Sequence, residues 1–398
     1  MESSRKILIL THNYPRWEGD YAGVFLKELV THFRSDQVFV YLLAPHFEGA
    51  PVFEKGDYFE IHRFRYAPVK SETLAYAGNM HRQVMTLTGF VKFIFFMLAY
   101  LIKSFELVNR VKPDLIFAQW LVPSGMVGWL VALFTGKRLF VTSHGTDIAL
   151  LRKSATLRGM TRLIYRRARR AFVVSNYLRE TVLDLDLTQP AKLEVCPMPA
   201  RTDLFGKQKV TERIPPLILS VARFTKQKQL DVLFRALKIL SDNRIEFTCE
   251  VYGEGECEVE LRSLIAELVL QDKVTLKAPV PQATLAVIYP AARVTVLPSI
   301  NEGFGMTLVE AQLSGSAVIG ANSGGITDII RHQQTGLLFE PGNAAQLATE
   351  LKALLTDNQL HHQLVAAAKE QADRLFSPTA IALKYEAALG ISKIPPRL

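Results

Sequence analysis

The segment Pro298-Ser299-Ile300-Asn301-Glu302-Gly303-Phe304-Gly305-Met306-Thr307-Leu308-Val309-Glu310 carries two carboxylates eight residues apart around a pair of glycines. It follows an apolar run, Val294–Leu297, that reads as a buried strand. Ligands of open α/β sheets bind at the carboxyl ends of strands. Gly303 and Gly305 remove side chains, so backbone can approach a ligand closely. A helix beginning near Gly305 would offer free amides and the positive end of its dipole to a phosphate or a sugar hydroxyl. Phe304, Met306 and Thr307 lie in the same stretch. Glu302 on the loop and Glu310 about one turn into the helix could then hold opposite ends of one extended ligand.

Other strand ends carry chemistry too. Arg223 and Lys228 follow the run Leu217–Val221; arginine can bind a diphosphate as a fork and lysine as a point charge. Ser143-His144-Gly145-Thr146-Asp147 follows Leu139–Thr142, which puts His144 toward a crevice, in reach of proton transfer or a ligand. The loop Asn13–Gly23 follows the first strand, and Gly23 precedes a helix pattern at 24–33. Gly253-Glu254-Gly255 lacks the third glycine of a dinucleotide fingerprint, and no Gly-x4-Gly-Lys-Ser/Thr or His-Glu-x-x-His is present. Asp184-Leu185-Asp186 sits among leucines and reads as a solvated helix end rather than a metal site.

The elements that must position these groups come in two α/β sets. Runs at 6–10, 38–43, 115–118, 139–142 and 171–174, then at 217–221, 247–252, 274–276, 294–297 and 317–320, are near-continuously apolar. Such strands belong to parallel sheets covered on both faces. Helical patterns at 230–240, 259–269, 305–313, 345–355 and 378–389 separate or follow them. The expectation is two doubly wound domains, with a proline-rich boundary near 197–216.

Composition agrees. The chain is 49% hydrophobic and 21% charged, ordinary for a folded soluble protein and incompatible with disorder over most of its length. Its three cysteines, Cys196, Cys249 and Cys257, form no Cys-x-x-Cys, so a disulfide framework or cysteine zinc site is not expected. The opening apolar run is too short for a signal peptide, which points to the cytoplasm.

The net charge of +9 is unevenly placed: residues 1–205 hold 27 basic and 18 acidic groups, the remainder 20 of each. A one-sided basic field suits an anionic partner. Arg152–Arg170 holds eight basic residues and no acid. Like charges at helical spacing repel, so an anionic membrane surface is the expected counterpart; no nucleic-acid motif accompanies them. Phe93–Ile102 is apolar between Lys92 and Lys103. It is too short to span a bilayer and is expected to be a buried helix, the alternative being a helix in the membrane interface.

Taken together, these motifs resemble glycosyltransferase family 4, retaining enzymes of the GT-B fold, over nearly the whole chain. Glu302 and Glu310 are similar to the family's Glu-x7-Glu element; Val221-Ala222-Arg223 with Lys228 to its phosphate-binding pair; Tyr252–Gly255, Ser323–Ile326 and Thr335–Phe339 to further signatures. In the first half Asp114, Gln119-Trp120, Pro123–Gly125 and Ser143–Asp147 resemble acceptor-domain stretches.

The resemblance implies an acceptor domain at 1–205, a nucleotide-sugar domain at 206–376, and a C-terminal segment 377–398 packing back on the first. It implies that Arg223 and Lys228 hold a donor diphosphate and that Glu310 binds ribose. The backbone from Gly303 through Phe304, Gly305, Met306 and Thr307 would meet sugar and phosphate. Glu302 and His144 would be the catalytic pair beside the transferred sugar, with Gly23 letting the first loop reach the phosphate. No cofactor and no metal are implied, and the site would lie between the domains. The implied mechanism is front-face transfer, a covalent intermediate on Glu302 remaining open. The acceptor would be a glycan or lipid-linked molecule of envelope or polysaccharide synthesis.

Ala222, Gln229, Lys277–Pro279 and Pro197–Asp203 depart from the family pattern, leaving the nucleobase open. A nucleotide-sugar epimerase of the same fold and a non-catalytic membrane-associated subunit are the competing readings.

Overall fold

The apolar runs become two separate sheets in the computed structural model, which describes residues 4–20, 22–34, 37–76, 80–152, 154–211 and 213–391. Tyr21 of the first loop and Lys153 of the basic cluster lie outside the described residues, as does the end of the expected C-terminal segment. The chain forms two compact units, residues 1–197 with 381–398, and residues 198–380.

The first sheet contains β1 (Arg5–Leu10), β2 (Val38–Pro45), β3 (Phe53–Lys55), β4 (Phe59–Phe64), β5 (Leu115–Gln119), β6 (Arg138–Ser143), β7 (Arg170–Val173) and β8 (Leu193–Val195). Its order is β3-β4-β2-β1-β5-β6-β7-β8. Only the β3–β4 pair is antiparallel. The second contains β9 (Leu217–Val221), β10 (Thr248–Tyr252), β11 (Val274–Lys277), β12 (Ala292–Leu297), β13 (Ala317–Ala321) and β14 (Leu337–Phe339), in the order β11-β10-β9-β12-β13-β14. All its pairs are parallel. Among its parallel strands the first sheet reverses strand order once, between β1 and β5, and the second sheet once, between β9 and β12. At such a point the flanking loops diverge and open a crevice.

Burial follows the sequence. All of β5 and β13 is buried, as sheets covered on both faces require. The first core joins Ile7, Ile9, Phe117 and Phe172 to Ile381, Tyr385 and Leu389 of the last helix, Pro378–Leu389. Buried Glu386 fastens that helix by accepting from the Arg34 backbone N–H at 2.7 Å and its Nε at 2.6 Å. The second core joins Ile218, Leu233, Leu237, Val251, Ile319 and Leu351.

The division falls at 197/198 rather than 205/206. Residues 198–205 pair with the second unit: the Ala200 N–H donates to the Phe376 carbonyl at 2.8 Å, and the Phe205 ring lies 5.9 Å from Tyr289. The returning chain divides at 380/381, inside the last helix, rather than at 376/377.

Two expectations need correction. The run Phe93–Ile102 lies within a 25-residue helix, Leu87–Val111, whose Phe96, Tyr100, Leu107 and Val108 are buried while Phe95, Leu98 and Ile102 are exposed. It is therefore half-buried, because only one of its faces meets the sheet. The basic cluster is also less starved of partners than its sequence suggests. Arg162 donates to the Asp186 and Leu185 carbonyls, at 2.9 and 3.2 Å, and Arg167 to Ala132 and Lys137 carbonyls, at 2.8 and 3.1 Å. These carbonyls lie at or just beyond the C-termini of helices Asn176–Asp184 and Met126–Thr135, where cations are favoured. Arg170 pairs with Glu194 at 2.9 Å. Exposed Arg166 and Arg169 keep their charge toward solvent.

Candidate functional site

In the second unit the reversal point gathers the loops after β9 and β12. Arg223 is exposed two residues past β9, and Lys228 ends a short 3₁₀ turn, Lys226–Lys228. The turn after β10 seats this loop: the Phe224 N–H donates to the Glu254 carbonyl at 2.8 Å, and Cys257 N–H to the Phe224 carbonyl at 2.9 Å. Gly253–Gly255, unpromising as a dinucleotide fingerprint, thus shapes the Arg223 loop. Lys228 Nζ donates to Glu302 Oε2 at 2.5 Å, with both side chains largely shielded. The loops are also joined through backbone, Ile300 N–H to the Gln227 carbonyl at 3.0 Å, and through Gln227 Nε2 to the Asn301 carbonyl at 3.1 Å.

The loop after β13 supports Glu302 from beneath. Gly325 N–H donates to the Glu302 carbonyl at 2.8 Å. A Cβ on Gly324, whose φ is +63°, would stand 2.5 Å from both the backbone N and O of Glu302. Only glycine fits there. Gly303 and Phe304 complete the loop, and Gly305 caps the helix Met306–Leu313. Met306 and Thr307 therefore stand in its first turn, where amide groups lack intrahelical acceptors.

Glu310 lies one turn further along that helix and is 5% exposed. Gln282 Nε2 donates to its Oε1 at 3.0 Å and Tyr289 Oη to its Oε2 at 3.2 Å. Burial raises its carboxyl to about 7, a shift only partly offset by these two donors and the more distant charge of Arg201. Neither donor is a cation, and nothing in the sequence spacing singles out Gln282 or Tyr289.

In the first unit His144 follows β6. Its Nε2 meets Gln119 Oε1 at 2.9 Å. Asp147, buried, accepts from the backbone N–H of His144 and Gly145 on one oxygen, at 3.1 and 3.0 Å, and from Leu121 on the other at 3.1 Å. Burial pushes its carboxyl upward. The Trp120 ring lies tilted beside His144, ring centres 4.3 Å apart, and meets His12 edge-on at 4.6 Å. Phe25 covers His144 at 4.9 Å. Trp120 has φ +68°, a conformation costing about 1–3 kcal/mol that persists where surroundings enforce it. Burial lowers the His12 ring to about 4 and the His144 ring to about 3. Both are neutral near pH 7. Gly23 has φ +65° and caps helix Val24–His32; a Cβ there would meet the Asn13 carbonyl oxygen at 2.6 Å. The loop's own packing therefore requires this glycine.

The structure thus brings Lys228 to Glu302 and sets Glu310 along the helix that Gly305 caps. It surrounds His144 with Gln119, Trp120 and Phe25, all outside the residues singled out from sequence for direct roles. Among the described residues no group of three His, Cys, Asp or Glu has metal-holding geometry.

Residues 204–371 match the family described as Glycosyl transferases group 1, and residues 22–204 match Glycosyltransferase Family 4. The chain is 26% identical over 302 residues to N-acetyl-alpha-D-glucosaminyl L-malate synthase of Bacillus anthracis, covering 73% of this chain and 77% of that protein. It is 30% identical over 294 residues to D-inositol 3-phosphate glycosyltransferase of Corynebacterium aurimucosum, covering 67% of this chain and 69% of the relative. The fold is similar to that of Anabaena Alr3699/HepE in complex with UDP-glucose, TM-score 0.70 at 19% identity, over 97% of this chain and 99% of that one. The architecture is GT-B.

Proposed function

The chain belongs to glycosyltransferase family 4, and from that premise we propose that it transfers a sugar from a nucleotide-sugar donor, with retention at the anomeric carbon and without a required metal. The observation that carries this reading is the Lys228–Glu302 contact beside the amino end of helix Met306–Leu313. One spot combines a cation for a diphosphate, a carboxylate for positive charge developing on a sugar, and free amides for phosphate or hydroxyl oxygens. Arg223 and Lys228 hold the diphosphate, Gly303 to Thr307 meet sugar and phosphate through backbone, and Glu310 accepts the ribose hydroxyls. His144 of the first unit is neutral near pH 7, so its ring can donate or accept a hydrogen bond.

In the reaction the bond between the sugar's C1 and the phosphate oxygen breaks as the acceptor oxygen bonds to C1 on the same face. The acceptor proton passes to the leaving phosphate, whose charge Arg223 and Lys228 offset. The acceptor is a glycan or a lipid-linked molecule of envelope or polysaccharide synthesis, met at the cytoplasmic face of a membrane. The exposed arginines of Arg152–Arg170 supply attraction to anionic lipid. No described helix is long and apolar enough to cross a membrane.

The test is incubation of the identified donor with candidate acceptors, reading the anomeric configuration of the new linkage by NMR. Retention supports the mechanism; inversion overturns it. Interconversion of free nucleotide sugar without acceptor would favour an epimerase.

A further inference from the structure

The helix Leu87–Val111 has two faces of different fate. Phe96, Tyr100, Ser104, Leu107 and Val111 are buried on one side. Leu87, Val91, Ile94, Phe95, Leu98 and Ile102 are exposed on the other, Leu87 by 81% and Ile102 by 66%. At about 100° per residue the exposed six fall within roughly a quarter of the helix circumference. They form one stripe rather than scattered positions. Phe105 continues it, and its ring lies 6.2 Å from Phe134. Phe134, 74% exposed, and neighbouring Leu133 end the adjacent helix Met126–Thr135. The apolar surface therefore passes from one helix to the next, and a continuous patch of this kind marks an interaction site.

The charges around it are predominantly basic. Residues 73–105 contain Arg82, Lys92 and Lys103 and no Asp or Glu; residues 115–146 contain Lys137 and Arg138 and again no acid. On the helix itself Lys92, Lys103 and Arg110 recur at spacings that place them along one flank of the stripe. The third helix of this layer, Ala155–Arg167, packs beside Met126–Thr135 and is also without acid. Glu106, held by Lys103 at 2.8 Å, is the one carboxylate on the three helices.

We infer that this stripe, rather than the arginine cluster alone, is the surface that docks on an anionic phospholipid bilayer, with helix Leu87–Val111 lying in the interface plane. Phenylalanines and aliphatic side chains enter the headgroup–acyl boundary, and the flanking cations stay at phosphate level. The inference deepens the membrane part of the proposed function and rests on it. Charge complementarity selects the occupant. A second copy docking through the same patch would set these cations against each other, whereas an anionic bilayer offers them counter-charge together with apolar depth. The helix would be about 37 Å long at 1.5 Å per residue, lying flat.

Flotation of the full chain with vesicles of phosphatidylcholine containing 30 mol% phosphatidylglycerol, and with phosphatidylcholine alone, tests this. Three proteins are compared: wild type, Phe95→Ser/Ile102→Ser, and Arg162→Gln/Arg166→Gln/Arg169→Gln. The serine changes lie on the exposed face, and thermal unfolding with nucleotide-sugar binding confirms that each variant is folded and holds its donor site. The expected result is wild-type binding to anionic vesicles, a loss of tenfold or more in partitioning for the serine variant, and a loss of threefold or less for the glutamine variant. Unchanged partitioning of the serine variant, with loss confined to the glutamine variant, overturns the stripe while leaving membrane association intact. Absence of wild-type partitioning overturns both. A wild-type dimer that the serine changes dissociate, without vesicle binding, also overturns the inference. Donor binding is read separately, so failure of the transferase reading shows itself independently.

Discussion

Lys228 Nζ and Glu302 Oε2 lie 2.5 Å apart although 74 residues separate them in sequence. The pair ties the loop after β9 to the loop after β12 at the point where the sheet reverses its strand order. On the proposed function, a diphosphate arriving beside Lys228 would compete with Glu302 for the same ammonium. Lys228→Ala is expected to weaken donor binding by about 1.5–3 kcal/mol, the value of a charge-assisted hydrogen bond. Glu302→Gln releases the ammonium, so donor affinity should hold or rise while turnover falls. Calorimetric titration and steady-state kinetics on the two variants read this directly; loss of affinity in Glu302→Gln equal to that in Lys228→Ala would contradict it.

Gly324→Ala is a test of support from outside the residues proposed to contact the donor. The added Cβ would sit 2.5 Å from Glu302 backbone atoms, at a φ that favours glycine. The loop carrying Glu302 must shift. Turnover should fall at least tenfold, a 1 Å misplacement at a reacting centre costing about a hundredfold. The thermal midpoint should drop by only a few degrees. Full activity would mean that the Glu302 loop does not need this geometry.

Glu310 supplies a pH dependence. Its carboxyl is raised to about 7 by burial, and ribose hydroxyls donate best to the ionised form. Donor affinity should therefore rise from pH 6 to 8, with a proton released on binding. A nucleotide sugar, whose diphosphate is a diester, is the suitable probe because it does not titrate there. The stability sign is opposite. The folded state binds the extra proton, so this group's contribution is present at low pH and declines as pH rises through 4.5 to 7. Glu310→Gln should flatten both trends; an unaltered pH slope of affinity in the variant would rule out the ribose contact.

His12 and His144 are held neutral, at about 4 and about 3. A lowered histidine pKa removes stability as pH falls below the unfolded value near 6.5. The thermal midpoint should therefore decline between pH 6.5 and 4, less so in His144→Gln than in wild type. NMR titration should show no His144 transition between pH 5 and 8. A transition near 6.5 would mean that Phe25, Trp120 and Gln119 do not hold the ring neutral.

Much of the architecture was legible because buried parallel strands are written as unbroken apolar runs: 217–221 became β9 without change, and the helix at Pro378–Leu389 kept its ends. Strands β4 and β8 escaped because Phe59–Phe64 and Leu193–Val195 mix charge with apolar residues in too few positions. The candidate carboxylates, cations and histidine were singled out by their places in loops that follow strands. Their partners were not. Gln282 and Tyr289 reach Glu310 from another helix and turn, and Gln119 reaches His144 from a neighbouring strand. Such contacts exist only once the sheet is assembled. The apolar run Phe93–Ile102 shows the converse: all ten residues look alike in sequence, and packing alone decides which face is covered.

The central claim is that Arg223 and Lys228 hold the diphosphate of a nucleotide sugar. It is tested most directly by a thermal-shift panel of UDP-, GDP-, ADP- and dTDP-sugars on wild type, Arg223→Ala and Lys228→Ala. A donor at a hundred times its dissociation constant stabilises the fold by about 2.7 kcal/mol. The account predicts that one base raises the wild-type midpoint by several degrees, and that the shift shrinks in both variants at the same concentration. No shift with any of the four, or a shift that survives both substitutions undiminished, would contradict it.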